Sequence, residues 1–251
     1  MTKRKLVAAI ACRNNGSRLY GKPLQNLDIV NQVTILDNII ACLLSLNIID
    51  EVVLGISHGS NNLIFEEYAI KNNLKYIFGD EKDVLSRLIK CGEKVDATDI
   101  FRITSESPFL YFDEVNDLWE RYVGAKLDAI FMDEIIDGCG FEIISLEALI
   151  KSHKMGGDRH RSELCSLYIR ENKNDFKVEK AFPPKVLIRK DLRLTVDNPE
   201  DLVVCRAVYE RFKDFAPNIP LLEVVRFLDL HEHLKELIHP FAESGYDSMN
   251  K

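Results

Sequence analysis

A loop rich in small and basic residues follows the first apolar run of the chain, Leu6 to Ile10. The loop supplies three basic and three small side chains: Arg13, Arg18 and Lys22, and Gly16, Ser17 and Gly21. Small residues let backbone N–H groups approach an anion, and Arg and Lys neutralise a polyphosphate. The loop matches neither the Walker A pattern nor Gly-x-Gly-x-x-Gly, and a solvated basic loop has the same composition. Its position after a first strand, where ligands bind in open α/β sheets, favours phosphate binding.

Two acidic residues lie at comparable positions later in the chain. Glu106 comes shortly after a predicted strand at 99–104, and Asp197 comes just before a predicted helix. Asn198 suits the N-cap of that helix and Asp201 its third position, so Asp197 is not needed as a cap. Taken singly, each acid is better explained as an ordinary loop or turn residue. Two carboxylates at strand ends beside a basic loop, however, predict a Mg²⁺ site that faces phosphates.

The segment Gly79 to Arg87 contains a third candidate pair. Asp83 is placed to cap a helix that begins at Val84, and Arg87 lies one turn inside that helix. The two side chains either face a nucleotide or form an ordinary i,i+4 ion pair.

Strand and helix patterns alternate through the first half of the chain. Strands are predicted at 6–10, 51–57, 75–78, 99–104 and 127–132, with helices from 34 and near 61–72, 84–89 and 113–123. Thr34 and Asp37 form a predicted cap at the start of the first helix. This alternation indicates βαβ units and a mainly parallel sheet, which is an α/β fold.

The second half of the chain is less regular. A Gly-Cys-Gly break at 138–140 is followed by predicted strands at 141–145, 176–182 and 192–196 and by predicted helices at 158–172, 199–213 and 220–238. We interpret 133–190 as an arm that lies over the sheet or makes dimer contacts. We therefore expect one domain over 1–239 and a flexible tail over 240–251.

Composition excludes several classes of protein. The 251 residues are 46% hydrophobic and 29% charged, and the net charge of −7 argues against a general nucleic-acid binder. No run of about 18 apolar residues is present, so no membrane span is expected. The six cysteines are scattered without Cys-x-x-Cys, which favours reduced thiols in a cytoplasmic protein over zinc ligands or disulfides.

These motifs, in this order, resemble the sugar-acid cytidylyltransferase superfamily, most nearly its spore-coat-polysaccharide (SpsF-like) branch. The resemblance spans residues 5–215. The opening motif of the family matches at five positions: Arg13, Arg18, Gly21, Lys22 and Leu24. Three later motifs of the family are similar to Gly79–Arg87, Arg102–Phe109 and Thr195–Leu202.

The resemblance implies a Rossmann-like three-layer α/β/α nucleotidyltransferase fold and a Mg²⁺-dependent reaction. CTP and a sugar acid of the nonulosonic or octulosonic type would give a CMP-sugar and pyrophosphate for surface-polysaccharide biosynthesis, in a homodimer. Lys22 and Arg13 would be catalytic, and Glu106 and Asp197 would bind the metal. The implied CTP-binding residues are Ala11, Arg13, Asn15, Gly16, Ser17, Arg18, Lys22, Asp83, Arg87, Thr104 and Ser105.

The chain departs from the family pattern where the acceptor sugar would bind. Glu106 and Ser105 stand where the family has Asp and Gly, Gly140 lacks an expected carboxylate, and Leu164 replaces a His beside Glu163. These departures suggest an unusual acceptor or, as an alternative, a non-catalytic nucleotide- or sugar-binding relative. A nucleotidyltransferase for another phosphorylated acceptor is a further alternative. The absence of Gly-x-Gly-x-x-Gly argues against a nicotinamide-dependent dehydrogenase.

Overall fold

The computed structural model describes residues 4–16 and 18–249, with side chains in the last helix as far as Ala242. Strands and helices alternate from the start of the chain. In chain order the elements are β1 (Leu6–Cys12), β2 (Asn26–Asp28), β3 (Val33–Thr34), α1 (Ile35–Ser45), β4 (Glu51–Ser57), α2 (Leu63–Lys71), β5 (Lys75–Gly79), α3 (Val84–Lys94), β6 (Asp99–Thr104), α4 (Val115–Ala125), β7 (Ala129–Met132), β8 (Glu142–Ser145), α5 (Leu146–Met155), α6 (Leu167–Glu171), β9 (Val178–Ala181), α7 (Pro199–Phe212), α8 (Leu221–Asp229) and α9 (Glu232–Met249).

The central sheet has seven strands in the order β5-β4-β1-β6-β8-β7-β9. Strand β8 is antiparallel to both of its neighbours, and the other pairings are parallel. Strand β1 is apolar on both faces because helices cover both faces: Ala8 and Ile10 belong to one buried cluster, and Val7 and Ala9 to the other. The predicted three-layer α/β/α fold with a mainly parallel sheet is confirmed.

Helix starts follow the predicted capping chemistry. The Thr34 hydroxyl accepts from the Asp37 backbone N–H (3.0 Å), and the Asp37 carboxylate accepts from the Thr34 backbone N–H (2.8 Å). Asn198 is the N-cap of α7, with Pro199 in the first turn and Asp201 completing a capping box. Both boxes satisfy backbone donors that helix starts otherwise leave unpaired.

Several predicted elements of the second half were wrong. The predicted strand at 192–196 makes only an isolated bridge between Asp137 and Arg193. The predicted helix at 158–172 is a short 3₁₀ helix, Asp158–Arg161, followed after a break by α6. The predicted helix at 220–238 is divided between α8 and α9, and helix α5 was not predicted.

The region 133–190 supplies two strands of the sheet, β8 between β6 and β7 and the edge strand β9, together with the helices α5 and α6. It therefore does not form a separate arm laid over the sheet, and dimer contacts through it remain a prediction. Helix α9 continues through Pro240 to Met249, and Ala242 is buried, so the described part of the predicted tail is helical. In the described part of the chain, no helix combines the length and the apolar character that crossing a membrane requires.

Candidate active site

A cavity of about 600 Å³ opens at the carboxyl ends of β1 and β6. These strands are parallel neighbours at the centre of the sheet. From β1 the chain continues to β4 on one side, and from β6 it continues to β7 on the other. Ligand sites of open α/β sheets lie at such a switch point, because the loops of the two strands diverge there.

Most of the predicted site residues line this cavity. They are Ala11, Arg13, Asn15, Gly16, Arg18, Lys22, Arg87, Thr104, Ser105, Glu106 and Asp197. Ser17 lies outside the described residues. Asp83 is not brought to the cavity: its carboxylate accepts from the Ser86 backbone N–H (2.8 Å) at the start of α3 and lies 2.7 Å from His153 Nε2. Asp83 therefore caps α3 as predicted, and the alternative of an ion pair with Arg87 is wrong, because Asp83 contacts His153 instead.

The loop after β1 depends on two glycines. Gly21 has φ +61°, a left-handed conformation that L side chains rarely adopt, and its N–H donates to Asn14 O (3.0 Å). This turn leads directly into a short 3₁₀ helix, Lys22–Leu24. A Cβ on Gly16 would lie 2.1 Å from Leu19 O. Both glycines therefore allow the tight loop that brings its cations to the cavity.

Asp197 is the centre of an ion network in the cavity. Lys22 Nζ lies 2.6 Å from Asp197 Oδ1, and Arg18 Nη2 lies 3.6 Å from the same oxygen. Arg193 donates to the other oxygen, Oδ2. Burial alone would raise the pKa of Asp197, but the hydrogen bond and charge of Lys22, with Arg193 and Arg18, hold it below its ordinary value. Asp197 is therefore held as an anion.

Arg193 is a buried residue that the sequence reasoning missed. It is 4% exposed and contacts Asp137 Oδ2 (2.6 Å) and Asp201 Oδ1 (3.0 Å) besides Asp197. Burial raises the pKa of Asp137 to about 6, although the charge of Arg193 opposes this. The sequence does carry a signal for Arg193, which is a charged residue within the apolar stretch 192–196. The pattern of that stretch predicted only a strand.

Glu106 is held opposite Asp197 by contacts between their loops. The Val196 N–H donates to Glu106 O (3.0 Å), and Ser107 Oγ donates to Thr195 Oγ1 (3.0 Å). Burial raises the pKa of Glu106, and the charge of Lys22 partly offsets this. The two carboxylates thus lie in one cavity although they are distant in the sequence.

The pair of carboxylates suits magnesium. Carboxylate oxygens are hard ligands, and Mg²⁺ is usually bound by one or two of them together with substrate phosphates and water. Among the described residues, no group of three or more His, Cys, Asp or Glu side chains is arranged to hold a metal ion. Glu106 and Asp197 are thus two carboxylates of this cavity that could bind a magnesium ion together with a nucleotide.

Arg87 lies under the cavity. Its side chain is 1% exposed, and Nη1 donates to Cys12 O (3.1 Å) and Gly55 O (3.0 Å). The guanidinium thus joins the ends of β1 and β4 and forms part of the cavity floor. These hydrogen bonds leave fewer Arg87 donors for the predicted contact with the nucleotide. The spacing of residues in the sequence does not reveal them.

A second cavity of about 500 Å³ adjoins the first and shares Glu106 and Asp197 with it. Its walls include Arg102 and Glu163, which also line the first cavity and which the sequence reasoning did not select. Glu163 forms an ion pair with Arg13 across the cavity mouth. Glu106 and Asp197 therefore stand between a basic nucleotide-sized cavity and a second cavity that extends toward β7.

Comparison with known proteins found no matching family model. The chain is 25% identical to an uncharacterised protein of Methanocaldococcus jannaschii over 96% of this chain and 98% of that protein. It is 24% identical to the spore coat polysaccharide biosynthesis protein SpsF of Bacillus subtilis, over 72% of this chain and 75% of SpsF.

Solved structures share the fold. A cytidylyltransferase from Leptospira borgpetersenii superposes with a TM-score of 0.81 at 20% identity, covering 92% of this chain and 97% of that one. A CMP:2-keto-3-deoxy-manno-octonic acid synthetase complexed with CTP superposes with a TM-score of 0.62 at 16% identity, covering 82% of this chain and 99% of that one.

The fold and the cavity at its switch point define the class: this is a nucleotidyltransferase fold. Within that class, the resemblance to the sugar-acid cytidylyltransferases and their SpsF branch, which the motifs predicted, is confirmed by the similarity to SpsF and to the cytidylyltransferase structures.

Proposed function

We propose that this chain is a Mg²⁺-dependent cytidylyltransferase that transfers CMP from CTP to a sugar-derived acceptor and releases pyrophosphate, in surface-polysaccharide biosynthesis. The observation that carries the proposal is the convergence of Lys22, Glu106 and Asp197 in one cavity at the switch point of the sheet. The similarity to cytidylyltransferase structures supports nucleotidyl transfer. A homodimer and a cytoplasmic location remain predictions.

The basic loop supplies the binding of the triphosphate. Arg13, Arg18 and Lys22 line the cavity and now contact carboxylates that a polyphosphate can replace. Such a transfer depends on holding the reacting groups together and on neutralising charge on the phosphate oxygens. Lys22, which is 20% exposed, is the most enclosed of these cations, and we assign it to the departing pyrophosphate together with Arg13.

Glu106 and Asp197 would hold the magnesium ion. When bound there, Mg²⁺ would polarise phosphate oxygens and align the α-phosphate with the acceptor. Asp197 stays ionised beside three cations, and Glu106 reaches the same space from the β6 loop. The acceptor hydroxyl would approach the α-phosphorus from the second cavity, and pyrophosphate would leave toward the basic loop.

Pyrophosphate release from CTP with a panel of acceptors tests the proposal directly. A nonulosonic and an octulosonic acid come first, since the resemblance implies a sugar acid. We expect release that requires both Mg²⁺ and an acceptor, and UTP to be a poorer donor than CTP. Binding of CTP without turnover of any acceptor would favour the non-catalytic relative that the changes at Ser105, Glu106, Gly140 and Leu164 leave open.

A further inference from the structure

The two carboxylates of the cavity are held in place by different means. Asp197 is surrounded by three cations: Lys22, Arg18 and Arg193. No Lys or Arg among the described residues forms an ion pair with the Glu106 carboxylate, and Lys22 acts on it only through its charge at longer range. A glutamate side chain also has one more rotatable bond than an aspartate, so an unheld Glu106 carboxylate would sample several positions.

The hydroxyl of Ser105 supplies the contact that holds Glu106. Ser105 Oγ donates to Glu106 Oε2 at 2.9 Å, within the ordinary range for an O–H donor, and Ser105 is only 4% exposed. Within the described part of the chain, no other side chain donates a hydrogen bond to this carboxylate. The bond engages Oε2 and leaves Oε1 free to accept a ligand, on a side chain that lines both cavities.

The other two hydroxyls of the loop after β6 have a different role. Thr104 Oγ1 and Ser107 Oγ lie 2.6 Å apart, and Ser107 Oγ also donates to Thr195 Oγ1 (3.0 Å). These contacts join the loop to the segment before α7. They fix the position of the Glu106 backbone, whereas Ser105 acts on the Glu106 carboxylate itself.

Nucleotide binding would leave each acid with one partner from the protein. A triphosphate on the basic loop would draw the cations of that loop away from Asp197, but the buried Arg193 does not belong to the loop and would stay in contact. Ser105 is neutral, so a phosphate attracts its hydroxyl less strongly than it attracts a cation. The hydrogen bond to Glu106 would therefore persist when the nucleotide arrives.

We propose that Ser105 is a positioning residue, whose hydroxyl holds the Glu106 carboxylate ready to bind magnesium; this rests on the proposed function of the cavity. The resemblance had implied that Ser105 binds CTP, but its hydroxyl has Glu106 as its partner. Loss of a hydrogen bond that orients a metal-binding side chain typically costs about ten- to a hundredfold in metal affinity or activity. A carboxylate that is already in position binds more tightly, because less motion is lost on binding.

Calorimetric titration of CTP with and without Mg²⁺ tests the proposal without relying on turnover. In Ser105→Ala we expect the affinity for CTP with Mg²⁺ to fall by about tenfold, while the affinity for metal-free CTP is unchanged. Ser105→Gly, which also removes the hydroxyl, should show the same loss. Ser105→Thr keeps a hydroxyl on the same carbon and should restore the effect of Mg²⁺.

Ser152→Ala is the matched control. Ser152 is also buried, and its hydroxyl donates to Ala148 O (2.7 Å) within α5, away from both cavities. Its removal should leave the affinity for CTP unchanged with and without Mg²⁺.

A double-mutant cycle with Glu106→Gln shows whether Ser105 acts through Glu106. Glu106→Gln removes the charge that binds the metal, so adding Ser105→Ala to it should cause no further loss. The inference is overturned by a full further loss in the double variant, by a wild-type effect of Mg²⁺ in folded Ser105→Ala and Ser105→Gly, or by weaker binding of metal-free CTP to them. A wild-type protein that does not bind CTP, or binds it equally well without Mg²⁺, would instead refute the proposed function.

Discussion

Lys22 Nζ and Asp197 Oδ1 lie 2.6 Å apart although 175 positions separate the two residues in the chain. The contact forms because each residue lies at the carboxyl edge of the sheet, in a loop whose conformation is fixed by other residues. Gly21 turns the backbone into Lys22, and the capping box of α7 fixes the backbone around Asp197. The residues of the site could therefore be selected from the sequence, because the carboxyl ends of the strands meet at one edge of the sheet.

Substitution of Lys22 by Ala should reduce kcat by more than any other single change in the basic loop. One charge-stabilising contact at a transition state is worth about 3–4 kcal/mol, or roughly a hundred- to a thousandfold in rate. Steady-state pyrophosphate release measures the effect. Lys90→Ala is the control, since Lys90 is exposed on α3 and does not line the cavity. Unchanged turnover of Lys22→Ala would contradict the assigned role.

The pH dependence should report Glu106. Burial raises the pKa of Glu106, whereas the surrounding cations keep the pKa of Asp197 low. As the pH falls, Glu106 gains a proton before Asp197 does and can then no longer bind the metal as a carboxylate. The Mg²⁺ concentration for half-maximal activity should therefore begin to rise at a pH above the ordinary glutamate range. Titrations of Mg²⁺ at a series of pH values measure this. A half-saturation that stays constant down to about pH 5 would show that Glu106 does not bind the metal.

At the scale of elements, the loops after β1 and β6 and the start of α7 were predicted together because each carries a local signal: small residues, a carboxylate, or a capping box. Arg193 and α5 were missed although Arg193 is a charged residue in an apolar stretch and Ser145 caps the start of α5. Arg193 is charged yet 4% exposed, and only the surrounding Asp137, Asp197 and Asp201 explain its burial. Asp197 and Asp201 lie at the start of α7, but Asp137 comes from the loop after β7, so spacing along the chain did not identify the whole set.

Removal of Asp201 should destabilise the fold and the site together. Asp201 accepts from the backbone N–H groups of Asp197 and Asn198 and contacts Arg193, and it is fully buried. Asp201→Ala leaves these groups without a partner and should lower the free energy of unfolding by about 3 kcal/mol. Urea unfolding measures this loss.

Thr34→Ala is the matched comparison for Asp201→Ala. It removes a cap at α1 but no buried charge, so about 1 kcal/mol of stability should be lost with kcat unchanged. Equal destabilisation by the two variants would show that the buried ion network around Arg193 adds nothing beyond helix capping.

At the scale of the whole molecule, the chain is acidic but its first cavity is basic. The net charge is −7, yet Arg13, Arg18 and Lys22 converge on one cavity. The sequence predicted this contrast and the layered α/β fold. It did not predict that 133–190 enters the sheet, because the pairing of β8 between β6 and β7 joins segments that no local pattern connects. The second cavity, which depends on that pairing, was missed for the same reason.

The six cysteines should be unreactive in the native protein. All six are buried and free: Cys12, Cys42, Cys91, Cys139, Cys165 and Cys205. Burial raises the pKa of Cys42, Cys91 and Cys165 to about 12, so the reactive thiolate is scarce at neutral pH. Iodoacetamide labelling followed by mass spectrometry should find little modification of the native chain and complete modification in guanidinium chloride. Rapid labelling of the native chain would contradict this packing.

Calorimetric titration of CTP with and without Mg²⁺, on the wild-type protein and on Asp197→Asn, tests the central claim most directly. The account predicts that Mg²⁺ tightens CTP binding to the wild-type protein by about tenfold or more, which is 1.4 kcal/mol per tenfold. It predicts that this gain is lost in Asp197→Asn, while metal-free CTP still binds because Lys22 and Arg18 no longer have Asp197 as their counter-ion. Asp158→Asn, at a fully exposed carboxylate, is the control. A wild-type affinity that is indifferent to Mg²⁺, or the same gain in Asp197→Asn, would contradict a shared magnesium-nucleotide site.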